Sequence, residues 1–132
     1  MCVYIHVPKA AGTSINKAIF GRTLGHYSAG EVRYKFPKLF SNSFTFSFVR
    51  NPWERAYSAY KFSKLGNTES MGVRNHKQYI VPEFYSFESF LVNWLSNKDI
   101  ESLDFIFQPQ FKFICDEEGA VIVDFVGKLE NL

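Results

Sequence analysis

Six consecutive positions, "KAAGTS" from Lys9 to Ser14, bring a lysine, a glycine and two hydroxyls together just after the apolar run "CVYIHV". These are the parts of an anion cradle. Gly12 lets the backbone approach a negative group closely, and N–H groups at the start of a following helix point at it. Thr13 and Ser14 add hydroxyl donors, and Lys9 adds a full charge on a flexible stem. The order is not the Gly-x-x-x-x-Gly-Lys-Ser/Thr of a triphosphate loop. Here the lysine precedes the glycine, and no later acidic run offers a magnesium ligand. An ordinary helix-start turn is the plainer alternative.

A second grip follows in "RNPWERAYS", where Arg50 closes a strand-like run and Ser58 lies two helical turns further on. An arginine at a strand end and a hydroxyl on the next helix can hold a second, separate phosphate. The alternative is that Arg50 pairs with Glu54 and that Ser58 is solvated.

Strands and helices must position these groups. "CVYIHV" reads as a buried strand, and the helix after the loop is expected to start at Thr13 or Ser14 and run to Phe20, where Gly21 breaks it. "SAGEVRYKFPKLF" starts helical and is interrupted at Pro37. "SFTFSFV" alternates Phe44, Phe46 and Phe48 with small residues, a strand signal. In "RNPWERAYSAYKFSKL" Asn51 is a natural N-cap, Pro52 suits the first helical position, and Glu54 suits the positive end of the helix dipole. Residues 66–82 read as a polar loop. "SFESFLVNWLSN" has a cap at Ser86 and an apolar face of Phe87, Phe90, Leu91, Trp94 and Leu95. "FKFICDEEGAVIVDFVG" reads as a β-hairpin turning at Asp116 to Gly119. Alternating strands and helices give an α/β fold with a central, mainly parallel sheet, in which ligands sit beyond the carboxyl ends of the strands. Both grips fall at such ends and are expected to face one crevice.

Composition narrows the function. The 132 residues suit one domain. Aromatic residues reach 18%, and rings in such number either fill a core or line a groove for sugar or purine. A net charge of +2 is too weak to imply nucleic-acid binding by bulk electrostatics, and no nucleic-acid partner is expected. Cys2 and Cys115 match no metal spacing and read as reduced and buried. No apolar run approaches the roughly 18 residues that span a bilayer, so no direct membrane contact is expected of this chain. The ending "VGKLENL" stops without a tail, and the chain reads as one domain, 1–132, incomplete at its C-terminus.

"HVPKAAGTS" resembles the 5′-phosphosulfate loop of sulfotransferases that use 3′-phosphoadenosine 5′-phosphosulfate (PAPS), and "FVRNPWERAYSAY" resembles their 3′-phosphate motif. "FQPQFKFICDEEGAVIVDFVGKLENL" is similar to a further stretch of the carbohydrate branch, bacterial and Golgi-type, with a heparan-sulfate 2-O-like character. The resemblance implies a P-loop-like three-layer α/β sandwich, sulfuryl transfer to a carbohydrate or other hydroxyl acceptor, PAPS as donor and no metal. By position it makes Lys9, Ala10, Ala11, Gly12, Thr13 and Ser14 the loop around the sulfate-bearing phosphate, with Lys9 also meeting the leaving group. Arg50 and Ser58 become 3′-phosphate ligands. The heparan-type branch carries its base on the segment before the second motif, and "GHYSAGEVR" puts His26 there. Other carbohydrate members often carry a histidine before "PQ", whereas "DFIFQPQ" has none. His6 is expected to hold backbone groups with its ring turned back toward the strand, and His76 to be solvated. The resemblance places the protein in the cytoplasm if bacterial, or in the Golgi lumen if it is part of a membrane-anchored eukaryotic enzyme. Two other readings stay open: a P-loop kinase or nucleotide hydrolase, and an inactive glycan-binding relative.

Overall fold

A computed structural model describes residues 1–22, 24–66 and 72–132. They gather into two compact units, one of Met1–Asn51 with Pro109–Leu132 and the other of Pro52–Gln108.

In the first unit the β-branched and aromatic runs form strands β1 (Cys2–Ile5), β2 (Phe44–Val49) and β3 (Phe125–Lys128). They make one parallel sheet in the order β1-β2-β3. The fold is α/β with a parallel sheet, as the strand and helix alternation leads one to expect. Register puts Tyr4, Phe46 and Phe125 on one face and Ile5, Ser47 and Val126 on the other. The second face joins Val7, Ala10, Ala29, Phe113, Ile114 and Val123 in the core. On β2 it is therefore the small residues between the phenylalanines that are buried. Their hydroxyls are satisfied: Ser47 donates to the Ile5 carbonyl at 2.7 Å, and Thr45 donates both its N–H and its hydroxyl to Asp124 Oδ2 at 2.7 and 2.8 Å.

Helix α1 (Gly12–Phe20) ends at Gly21, as expected. Helix α2 (Ala29–Lys35) starts at a capping box in which Ser28 and Glu31 satisfy each other's backbone N–H groups. Pro37 ends it and opens α3 (Pro37–Ser41). The expected hairpin near the end is not one. Phe111–Ile114 is a short helix, a single antiparallel bridge joins Cys115 to Val121, and the last apolar run pairs in parallel with β2 instead. Its turn survives, closed by Gly119 N–H on the Asp116 carbonyl at 3.1 Å, with one rung beyond it in which Asp116 N–H donates to the Ala120 carbonyl and Ile122 N–H to the Ile114 carbonyl. Both cysteines are free, but Cys2 is exposed and Cys115 half-buried, so neither is the buried thiol expected.

The second unit opens on the helix Pro52–Leu65, with Glu54 in its first turn. Its core is a cluster of rings: Tyr60, Tyr79, Phe84, Phe90 and Trp94, with Phe87 and Phe107 against it. Ser86 caps the next helix by accepting the Ser89 N–H, and the backbone then widens into a π-turn over Phe90–Trp94 and tightens over Leu95–Asn97. The expected apolar face holds, with Phe90 and Trp94 buried. Of the loop expected at 66–82, residues 67–71 lie outside the described residues. The remainder is not simply polar, because Val73 and Tyr79 enter the core. His76 is not merely solvated either, since its Nε2 lies 3.1 Å from the Lys64 carbonyl at the end of the helix.

Candidate functional site

The turn after β1 is built by its buried residues. Val7, Pro8 and Ala10 are buried, and Ala10 N–H donates to the Val7 carbonyl at 3.3 Å. With Pro8 second in the turn, a positive φ at the third position makes it a type II turn, and that third place usually belongs to glycine. Here it is Lys9, at φ 65°. Ala11 is left-handed too, at φ 59° and ψ 16°, and Gly12 after it is helical. A left-handed residue followed by a right-handed one curls successive N–H groups around a common point, the geometry of an anion nest. Two non-glycine residues in this region cost on the order of 1–2 kcal/mol each. Such strain is retained where the surroundings impose it.

The helix therefore starts earlier than Thr13 or Ser14. Neither is the cap. Ala11 holds that position and offers no side-chain oxygen, so no cap side chain closes the first turn of α1. Thr13 is half-buried and Ser14 exposed within that turn.

Gly12 has a second reason to be glycine. A Cβ there would lie 1.7 Å from Cδ2 and 1.9 Å from Nε2 of His6. The ring of His6, 4% exposed, thus fills the space under the helix start and is turned toward α1, not back along the strand. Its Nδ1 meets Asn16 Nδ2 at 3.3 Å, and the ring also hydrogen-bonds the Leu24 backbone. With the amide donating to Nδ1, the proton of neutral His6 rests on Nε2. The His26 ring packs on His6 at 4.0 Å between centroids, inclined by 41°.

Burial, with the neighbouring His26 second, pushes His6 down to about 4, so it is neutral at pH 7. His26 is an exposed residue, yet the side of its ring against His6 is shut off from water. That desolvation, with the Lys9 charge, holds it below the ordinary histidine value against a hydrogen bond to the His6 backbone. Lys9 is likewise lowered, first by burial and then by the charge of Arg50.

Arg50 follows β2 directly, and its backbone is clamped. Its N–H donates to Gln110 Oε1 at 2.9 Å, while Gln110 Nε2 donates to its carbonyl at 2.7 Å. The next N–H, of Asn51, donates to Glu130, and this bond foremost pulls the Glu130 carboxyl below its usual value. Parallel pairing brings the ends of β1 and β2 to the same edge, so Lys9, Arg50, His6 and His26 gather in the first unit. Ser58 lies half-buried on the Pro52–Leu65 helix of the second unit. Sequence reasoning missed Asn16 and Gln110. The "PQ" of "FQPQ" was the visible signal for the second, while nothing in "INKAIF" marked the first.

Among the described residues no group of three or more His, Cys, Asp or Glu side chains could hold a metal ion, and no helix is long and apolar enough to cross a membrane. Comparison with curated proteins and with solved structures gave no match. The model of one family, described as "Sulfotransferase family", matches residues 2–132. That span takes in β1, the strained loop, the clamped arginine and the last strand alike, and by it the chain belongs to the sulfotransferase family.

Proposed function

We propose that the protein moves the sulfuryl group of PAPS to a hydroxyl of a carbohydrate, in the manner of the heparan-sulfate 2-O-like branch. The observation that carries this reading is Lys9, left-handed and partly desolvated, facing the charge of Arg50. A partly buried lysine set beside a guanidinium is costly until an anion joins the two cations. The nest at Ala11 and Gly12 adds backbone donors beside them. This donor set fits a ligand with two separate anionic ends, and PAPS is the donor on which sulfotransferases generally draw.

When bound, PAPS supplies a sulfuryl group on an activated phosphate. Lys9, Ala10, Ala11, Gly12, Thr13 and Ser14 hold that end through N–H groups, hydroxyls and one charge. Arg50 holds the 3′-phosphate, its backbone fixed by Gln110. Lys9 meets the negative charge that grows on the departing oxygen. His26, neutral at pH 7, takes the proton of the acceptor hydroxyl as that oxygen bonds to sulfur. Alignment and charge do most of the work, as in phosphoryl transfer.

The test is sulfate transfer from labelled PAPS to a panel of glycans, alongside thermal shift. Adenosine 3′,5′-bisphosphate at 100 times its dissociation constant should stabilise the protein by roughly 2.7 kcal/mol without metal. Arg50→Ala should lose about 1.5–3 kcal/mol of that ligand's binding, and with it the preference for the 3′-phosphorylated nucleotide. His26→Ala should lose about 10²–10⁴ in turnover with nucleotide affinity kept. A response to ATP that requires magnesium, and none to the bisphosphate, would overturn the donor. Glycan binding without nucleotide binding would make the chain a non-catalytic relative.

A further inference from the structure

We propose that His6 is a positioning residue for the transfer: it fixes His26 against the Lys9–Ser14 loop and keeps that side of the His26 ring out of bulk water. The inference rests on the reading of His26 as the base.

Three pieces of chain meet on this one ring. From α1 come Gly12, whose missing Cβ makes the room, and Asn16, whose amide pins Nδ1. From the segment that bears His26 come the Leu24 backbone and the His26 ring itself. From β1 comes Tyr4, stacked on His6 at 6.0 Å. His6 is therefore the link whose two ends are the loop proposed to hold the donor and the segment proposed to hold the base. A ring wedged between two backbones sets their separation, and misplacement by an ångström costs far more in transfer than in binding. The charged and titratable groups acting on the pair are Lys9 from the loop and Tyr4 from β1, while α1 contributes the uncharged Asn16. Only a neutral His6 suits this place. Protonated, it would turn a second N–H toward the Asn16 amide and set a cation against His26 and Lys9.

Two variants test this without touching the donor loop or His26. His6→Gln removes the wedge but leaves an uncharged donor, and Asn16→Ala leaves the ring but frees it to turn. For both, kcat should fall about tenfold, with acceptor KM and the Kd of adenosine 3′,5′-bisphosphate within about threefold of wild type. With water admitted to His26, the acid limb of the kcat profile should move to higher pH, because the desolvation that lowers His26 is relieved. The same shift should appear in the NMR titration of His26, which needs only folded protein. A purely structural His6 would lower activity equally at every pH and leave both midpoints in place, and that result overturns the inference. If His26→Ala loses turnover while the His6 and Asn16 variants keep the wild-type profile, the inference alone fails. If His26→Ala turns over like wild type, the base reading and the inference fall together.

Discussion

The two units solve the problem of an interior differently. The second fills it with rings. Phe90, fully buried, meets Tyr60, Phe84, Phe87, Trp94 and Phe107 with centroids between 5.1 and 5.9 Å. Among its described residues the buried polar ones, Arg55 and Ser63, bond nearby carbonyls, and the left-handed non-glycine one is Asn75, a type that tolerates the conformation. The first unit buries His6, Asn16, Thr45 and Ser47 and holds Lys9 and Ala11 in a conformation that suits neither. One unit is optimised for burial. The other spends stability on a polar, strained corner where charges converge, the pattern expected where a fold carries chemistry.

The largest effect that sharpens this contrast is on phenylalanine. Phe90→Ala should cost about 3–5 kcal/mol, because five rings lose a partner and the gap cannot close around them. Phe44→Ala, at a β2 ring 54% exposed, should cost less than about 1 kcal/mol. Urea midpoints at unchanged slope read both. Similar losses at the two positions would mean that the aromatic face of the sheet is as much a core as the ring cluster.

A second contrast lies in acid. His6 drops from an ordinary 6.5 to about 4 on folding, so the unfolded chain binds its proton first. Its contribution is then whole above pH 6.5 and is lost as pH falls toward 4, on the order of 3 kcal/mol in all. About 2 kcal/mol should be gone by pH 5. His26 adds in the same direction, whereas the lowered carboxyls of Asp124 and Glu130 act only below the ordinary carboxylate range. The His6→Gln variant should therefore show a flatter stability profile between pH 6.5 and 5 than the wild type. Parallel profiles would show that the histidine is not held neutral.

The same contrast explains what could be read from residues alone. β1 was legible as a β-branched and aromatic run, β2 as an alternation of Phe with small residues, and the Pro52–Leu65 helix from its start at Asn51, Pro52 and Glu54. "FKFICDEEGAVIVDFVG" read as a hairpin, because adjacent apolar runs look alike whether they pair with each other or with a distant strand. Lys9, Gly12 and Arg50 were legible because charge and glycine at strand ends have few other uses. The wedge of His6 was not, since it depends on which way one ring turns under a helix. Nor was the start of α1 at Gly12 with Ala11 as its cap, where packing of Val7, Pro8 and Ala10 beats the capping preference of Thr13 and Ser14. In the second unit the ring cluster could be foreseen from composition, but not the π-turn at Phe90–Trp94, which follows from seating Phe90 and Trp94 together.

The smallest predicted effect is the sharpest test of the contrast, because one chemical change should have opposite signs in the two units. Ala11 sits at φ 59°, where a Cβ crowds the following carbonyl and glycine does not suffer. Relief of about 1–2 kcal/mol against the 0.5–1 kcal/mol that glycine costs in lost chain freedom leaves Ala11→Gly roughly 0.5–1 kcal/mol more stable. Ala59, in the middle of the Pro52–Leu65 helix and 1% exposed, meets no such crowding. There glycine brings only its entropic cost and a lost methyl contact, so Ala59→Gly should be destabilised by about 1 kcal/mol or more. Equilibrium unfolding of the two variants beside wild type decides the matter. A destabilised Ala11→Gly would mean that the left-handed turn is paid for by contacts of the Ala11 methyl, and the first unit would then be no more strained at its loop than the second is in its helix.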